Sequence, residues 1–310
     1  MQPRRALAAA FIALLCRLSG AFRYSRQTFG RVASTGPSVA SCCLKMSTSS
    51  TTAPGLRSFV DGKDDGPTVV FVHGWPDDHT LWDLQVDHLK DRFRCVTTDL
   101  PGFSGDDANT ERWGYSVDEC VRRLETTIEV EGNGEPVILV AHDWGCAYAF
   151  MLEARRPELM HKIVAIDVGG DMRLGPVTLI CIMSYHVWLA AAFLLGGPVG
   201  DFMARSFAWL VGAPAWNRVA RGAVCYPYYH WWEKIFRGNK VKVMMPHCPL
   251  LFLYGCIGAK KILAFHTNSW VEKVNKKEGS SAVAMTSSSH WVTKDQPVDV
   301  NRRIDAFLAE

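Results

Sequence analysis

From about residue 56 onward, short apolar runs alternate with stretches of helical periodicity. Residues 68–72, 93–98, 137–141, 162–166, 249–254 and 283–287 read as strands, and Ser58-Phe59-Val60, set among Gly55, Gly62 and Gly66, as a first strand or hairpin. Residues 81–89 read as a helix, and Ser116 opens another with Glu119 three positions on as a capping box. A third helix begins at Gly145. Several of the strand runs are apolar throughout rather than alternating, which is the mark of strands covered on both faces. The pattern predicts an α/β protein: a mostly parallel sheet with helices on both faces.

Residues 137–150, Val-Ile-Leu-Val-Ala-His-Asp-Trp-Gly-Cys-Ala-Tyr-Ala-Phe, carry the sharpest chemical signal. A buried strand ends in the corner His142-Asp143-Trp144, and Gly145 leads into a helix packed close behind. Small residues two before and two after Asp143, namely Ala141 and Gly145, keep neighbouring backbone clear of a strained turn. Such a strand–turn–helix frame lifts its central side chain above the sheet, beside the N–H groups of a helix N-terminus. A carboxylate in that position can attack carbon directly and form an alkyl-enzyme ester, chemistry suited to epoxides and carbon–halogen bonds. The plainer alternative is an ordinary turn with Asp143 as helix cap.

Composition changes the picture at the two ends of the argument. With 310 residues and 48% hydrophobic content, the chain can bury one large core with an insertion. Its first 50 residues carry seven basic side chains (Arg4, Arg5, Arg17, Arg23, Arg26, Arg31, Lys45) and no acid, so the formal net charge of +3 leaves about −4 for the rest. The basicity belongs to an address label, and the body has no nucleic-acid footprint. Arg4-Arg5 followed by the apolar stretch 6–15 looks like a signal peptide, with Ser19-Gly20-Ala21-Phe22 as a candidate cleavage point and a Ser/Thr/Arg-rich stretch beyond it. This resembles the bipartite leaders of algae with secondary plastids; a mitochondrial presequence is the nearest rival. Residues 1–52 are therefore expected to be a removable targeting leader. Cys95, Cys120, Cys146, Cys181, Cys225, Cys248 and Cys256 form no C-x-x-C pair and no metal spacing, and read as reduced thiols.

Four motifs occur in order: His-Gly-Trp-Pro at 73–76, Asp-Leu-Pro-Gly-Phe at 99–103, His-Asp-Trp-Gly at 142–145 and Ser-His-Trp at 289–291. Together they resemble the α/β-hydrolase fold and, within it, the epoxide hydrolase and haloalkane dehalogenase branch. The resemblance implies a core over 53–167 and 246–310, with a helical cap, 168–245, inserted after the strand that follows the nucleophile turn. It also implies Asp143 as nucleophile and His290, just after the last strand, as base. The oxyanion donors would be the backbone N–H groups of Trp75 and Trp144. His73 reads as a buttress of its loop. For the acid that orients His290, the turn after 249–254 contains no carboxylate, so Asp167, at the end of the strand after the nucleophile, takes the role, with Asp171 as fallback.

In epoxide hydrolases two cap tyrosines protonate the opening ring. Ser184-Tyr185-His186 resembles the Tyr-Gln element that supplies the first, so Tyr185 takes that part. Tyr228 is preferred for the second, with Tyr226 and Tyr229 open. Residues 177–195 lack any charge except His186 when protonated. This stretch suits a cap helix lining an apolar tunnel, with contact to a membrane surface as the alternative. The expected activity needs neither cofactor nor metal: an epoxide hydrolase acting on a small apolar substrate. A haloalkane dehalogenase is the alternative, and a non-catalytic small-molecule receptor on the same fold is the second alternative.

Overall fold

Backbone amides in a strand buried on both faces must pair with neighbouring strands, and the apolar runs do so in a single sheet. The computed structural model describes residues 54–104, 111–170, 176–238, 243–256, 258 and 263–309. The leader expected at 1–52 and the fallback acid Asp171 lie outside the described residues. The strands are β1 (Arg57–Gly62), β2 (Thr68–Val72), β3 (Arg94–Asp99), β4 (Val137–His142), β5 (Met160–Ile166), β6 (Leu250–Gly255) and β7 (Ser281–Met285). They lie in the order β1-β3-β2-β4-β5-β6-β7. β1 runs antiparallel to β3, and all other pairs are parallel.

The helices of this layer are α1 (Asp83–Leu89), α2 (Val117–Glu131) and α3 (Trp144–Glu153), and the cap follows with α4 (Pro176–Leu195), α5 (Gly197–Val211) and α6 (Tyr226–Phe236). After β6 come α7 (Asn268–Lys276), α8 (Val292–Asp295) and α9 (Pro297–Ala309). α2, α3 and α7 share one face of the sheet: α3 is buried at all ten positions, and its Phe150 packs on Trp270 with ring centroids 5.5 Å apart. α1 and α9 cover the other face, where Lys162 sends Nζ to the carbonyl of Phe307 at 2.8 Å.

Boundaries shifted where side chains compete with backbone. The helix expected from residue 81 starts as a 3₁₀ turn, His79–Trp82, because Asp78 accepts from the Thr80 N–H at 3.1 Å and tightens the first turn. Ser116 does cap α2, accepting from the Glu119 N–H at 3.2 Å, but the Glu119 carboxylate turns away to Arg122 and Arg123. The last strand sits two residues earlier than its apolar run suggests. Ser281 pairs with Leu251, and the chain leaves the ladder after Met285 to reach Ser287 at φ 64°.

The cap lies between β5 and β6 and is tied to the core by Arg218 on Asp78, Arg221 on the Gly102 carbonyl at 3.1 Å and Lys234 on Asp118. α4 is long and apolar enough to cross a bilayer, yet only 33% of its apolar window is buried. Ile182, His186, Leu189 and Phe193 face inward at helical spacing, while Ile180, Val187 and Leu194 face out. The inward stripe overlies the C-terminal edge of the sheet.

That edge is where the parallel register matters. Val72 pairs with Ala141, His142 with Ile166, and Ile166 with Leu253, so the turns after β2, β4, β5 and β6 all emerge side by side. The close fit depends on Gly145: a Cβ there would stand 2.4 Å from the Val72 carbonyl oxygen and 2.8 Å from that of His73. Gly145→Ala should therefore lower stability by about 2 kcal/mol or more, through overpacking against backbone that cannot yield. Denaturant unfolding of the full chain checks this: the midpoint should fall with little change in slope, and an unshifted midpoint would contradict the packing argument.

Candidate active site

Asp143 sits at the junction of β4 and α3 with φ 52° and ψ −119°, a conformation that side chains other than glycine rarely adopt. Among the described residues, the four non-glycine positions with positive φ are Asn133, Asp143, Asp167 and Ser287. Two of these carry the carboxylates of the site, and the third, Ser287, lies in the loop that delivers His290. Strain concentrated this way marks a geometry fixed by its surroundings.

The turn after β2 presses against Asp143 from the side. A Cβ on Gly74 would lie 2.5 Å from Asp143 Oδ2 and 2.6 Å from the Trp144 nitrogen, so only glycine lets the two loops approach. The next residue, Trp75, donates its backbone N–H to Asp143 Oδ2 at 2.8 Å. The N–H of Trp144, first in α3, lies at the helix N-terminus on the same side, where no intrahelical acceptor exists for it. One backbone donor thus holds one carboxylate oxygen, with a second unpaired helix N–H next to it in the chain. His73 holds this loop from beneath: its Nδ1 donates to the Gly74 carbonyl at 2.8 Å, and its Nε2 accepts from the Leu100 N–H at 3.0 Å. That is the buttress expected from the sequence, and burial keeps the ring neutral by lowering its pKa.

His290 reaches the other carboxylate oxygen. Its Nε2 is 3.6 Å from Asp143 Oδ1, an electrostatic contact rather than a hydrogen bond. Its Nδ1 donates to Asp167 Oδ2 at 2.6 Å, while Asp167 Oδ1 accepts from the Gly255 N–H at 2.9 Å. Asp167 is fully buried, so its carboxylate is fixed at both oxygens. Burial alone disfavours an imidazolium at His290, but Asp143 and Asp167 together outweigh it and raise the pKa to about 9. Burial likewise opposes a charge on Asp143, yet His290, His142 and the Trp75 N–H hold its carboxyl below the usual range.

The cap supplies aromatic walls. Tyr228 is buried, edge-on to Trp144 at 5.3 Å and to Trp75 at 5.6 Å, and edge-on to Tyr185 at 6.0 Å. Burial and then the negative charge of Asp143 raise the pKa of both Tyr185 and Tyr228, so both phenols stay protonated. The three tyrosines of α6 separate by helical phase. Tyr226 turns to Cys120, Phe103 and Tyr115, Tyr229 turns to Phe193 and His230, and Tyr228 faces the site.

Three groups near the site carried no clear signal in the sequence. His142 lies under His290, with ring centroids 4.5 Å apart, its Nε2 donating to the His290 carbonyl at 3.1 Å. Asp77 is buried, which pushes its pKa up to about 7, and accepts from Trp291 Nε1 at 2.7 Å. His186 of α4 packs against Tyr185 and Tyr228. The repeated acids of Asp77-Asp78 and the histidine before Asp143 were visible, but nothing in their spacing separates a buried group from a solvated one.

Residues 69–303 match the alpha/beta hydrolase family. The chain belongs to that family. Epoxide hydrolase 3 of Mus musculus is 31% identical over 294 residues, covering 86% of this chain and 78% of that protein. Epoxide hydrolase 1 of Caenorhabditis elegans is 24% identical over 273 residues, 80% of this chain; the match spans 66% of that relative, just under two thirds. In solved structures, an epoxide hydrolase from Bacillus megaterium in complex with an inhibitor superposes with TM-score 0.61 at 18% identity, covering 82% of this chain and 97% of that one. A haloalkane dehalogenase loop variant from Bradyrhizobium elkanii gives TM-score 0.59 at 17% identity, over 81% and 92% of the respective chains. These structural likenesses speak for the fold. The alpha/beta hydrolase core and its helical insertion are thus as the sequence pattern and its motifs anticipated, and these two relatives by sequence are epoxide hydrolases.

The paired carboxylates around His290 generate a pH prediction. A group whose charged form is held by two anions titrates above its ordinary value, and loss of one anion lowers it again by roughly 1–3 units. In the wild-type protein the His290 ring should titrate near 9. Asp143→Asn removes one anion while keeping the side-chain shape, and should bring that midpoint down by about 1 unit or more. Ring proton shifts against pH measure it, and an unchanged midpoint would mean that Asp143 does not act on His290.

Proposed function

We propose that this alpha/beta hydrolase opens an epoxide by attack of Asp143 and then hydrolyses the resulting ester. The observation that carries the reading is the arrangement around one carboxylate. Oδ2 accepts from the Trp75 N–H, Oδ1 faces His290 at 3.6 Å, and two protonated phenols stand on the cap side.

The steps follow from that arrangement. Asp143 Oδ1, the oxygen left unheld by Trp75, forms a bond to an oxirane carbon as the carbon–oxygen bond of the ring breaks. The alkoxide so formed takes a proton from Tyr185 or Tyr228, which burial has kept as neutral donors. Alkylation also erases the Asp143 charge, one of the two that held His290 as imidazolium. The ring's pKa then falls, the imidazolium gives its proton back to the tyrosinate, and Nε2 becomes able to accept a proton from water, since Nδ1 is committed to Asp167. The hydroxide so generated adds to Cγ of Asp143, and the charge that develops on Oδ2 meets the N–H groups of Trp75 and Trp144. Collapse breaks the bond between Cγ and the substrate-bound oxygen; the departing alkoxide takes the proton of the new Asp143 carboxyl, which releases the diol and restores the carboxylate beside a protonated His290. Sequence similarity to epoxide hydrolases of mouse and nematode supports the same substrate class.

Two expected outcomes test this. With His290→Gln, incubation with styrene oxide should leave the intact protein heavier by one epoxide at Asp143, because the ester forms but water is not activated. Absence of an adduct would remove the covalent route. Asp167→Asn should slow turnover by about a hundredfold or more while the ester still forms, since the imidazolium loses its partner; near-wild-type turnover would take Asp167 out of the triad.

The phenols are tested separately. Tyr185→Phe and Tyr228→Phe should each slow ester formation in a single turnover by at least about tenfold, the effect of losing one donor to a developing oxyanion. Halide departure needs no proton. Release of halide from a chloroalkane at a rate comparable to epoxide opening would instead favour dehalogenation.

A further inference from the structure

Buried polar atoms are ordinarily hydrogen-bonded, and one left without a partner costs about 1–3 kcal/mol. His186 departs from that rule at a telling place. Its side chain is 8% exposed, and its Nδ1 is buried with no hydrogen-bond partner among the described residues. The ring stands 4.7 Å from Tyr185, 4.9 Å from Tyr228 and 6.2 Å from Trp144, measured between centroids. These are the groups that close over Asp143. Beside it, 6.0 Å away, is the ring of Trp232, whose Nε1 is also buried without a partner among the described residues.

We propose that His186 is a specificity-determining residue that hydrogen-bonds an uncharged oxygen of the substrate, a hydroxyl or carbonyl carried close to the oxirane. The inference rests on the epoxide reading above and adds to it: Tyr185 and Tyr228 serve the ring oxygen, and His186 serves a second one. An apolar wall residue would fit a purely hydrocarbon substrate better, because desolvating an imidazole with nothing to bond is unfavourable. The chemistry of the second oxygen follows from the charge state of the ring. Burial lowers the His186 pKa to about 3, against the pull of Asp143, so the ring is neutral and offers one donor and one acceptor. A hydroxyl can use either nitrogen, and a carbonyl can accept from the protonated one. A carboxylate would gain no full positive charge there and would be repelled by Asp143. Ser184 cannot donate to such an oxygen, since its hydroxyl hydrogen goes to the Ile180 carbonyl at 2.8 Å.

Matched substrate pairs that differ by one hydroxyl test this without assuming the natural substrate. The first pair is trans-3-phenylglycidol and trans-β-methylstyrene oxide; the second is 2,3-epoxyhexan-1-ol and 2,3-epoxyhexane. The wild-type protein should prefer the hydroxylated member by about tenfold or more in kcat/KM, the discrimination expected when a buried polar group is left unpaired by the poorer substrate. In His186→Phe that ratio should fall toward one, whatever happens to the absolute rates, and His186→Gln, which keeps a donor and an acceptor, should retain most of it. A merely structural role would move both members of each pair together. A wild-type ratio near one in both pairs, or a ratio unmoved in His186→Phe, overturns the assignment while leaving the epoxide reading intact. If His186→Phe does not fold, the wild-type ratio and the glutamine variant decide the matter. Failure of all four epoxides to be hydrolysed or to alkylate Asp143 overturns the epoxide reading, and this inference with it.

Discussion

The contact between the loop after β2 and the corner after β4 governs the rest of the site. It exists because no side chain intervenes: Gly74 and Gly145 are the two positions where a Cβ would strike the opposing backbone at 2.4–2.6 Å. Once the strands pair in register, Val72 against Ala141, the two turns must share the space above the sheet. The strained φ of Asp143 then directs its carboxylate to the Trp75 N–H rather than back to its own helix, where it makes no capping bond. A residue in that turn is an N-cap by position. The structure denies it the cap and gives it a backbone N–H from the neighbouring loop instead, which is a use of backbone strain that a relaxed turn could not supply.

Electrostatics is layered on this frame. His290 lies between a carboxylate locked at both oxygens and one held at a single oxygen, and the proposed division of roles between the two rests on that asymmetry. Asp167 spends its lone pairs on Gly255 and His290, which suits it to the orienting role proposed for it. Asp143 keeps Oδ1 unencumbered by backbone. The same inequality fixes the tautomer, because Nδ1 must carry the proton it gives to Asp167, leaving Nε2 toward Asp143. Asp77 and His142 form a further buried polar layer under His290, linked through Trp291 and the His290 carbonyl, so the imidazole is supported by polar groups from below as well as from the sides.

The core of this arrangement was legible in the sequence because it depends on local chemistry. Uniformly apolar runs give buried parallel strands, and Ala-His-Asp-Trp-Gly gives a tight corner. A sheet with aligned C-terminal ends then brings the residues after β2, β4, β5 and β7 together. The contact of His290 with Asp167 followed once the turn after β6 proved to lack a carboxylate. Features set by tertiary contact were not legible. The burial of Asp77 depends on Trp291 and that of its neighbour Asp78 on Arg218 of the cap, both distant in sequence. The strand ending at Met285 rather than two residues on depends on which residue of β6 meets Ser281.

The choice among the tyrosines of α6 illustrates why the cap resists prediction. Tyr226, Tyr228 and Tyr229 stand about 200° and 300° apart around a helix of 3.6 residues per turn, so each must face a different neighbour. Which one faces Asp143 is decided by the rotation of the whole helix, and that is set by contacts none of the three makes with the site. Tyr226 occupies the space left beside Gly114, where an added Cβ would lie 2.3 Å from the Tyr226 Cβ, and His230 anchors the same turn by donating from Nε2 to the Trp113 carbonyl, 2.7 Å away. With Tyr226 against the core and His230 on the loop before α2, Tyr228 is left pointing at Trp144 and Trp75. The sheet therefore determines what reaction the site can support, while the packing of α4 and α6 against loops outside the site determines which polar groups a substrate meets there.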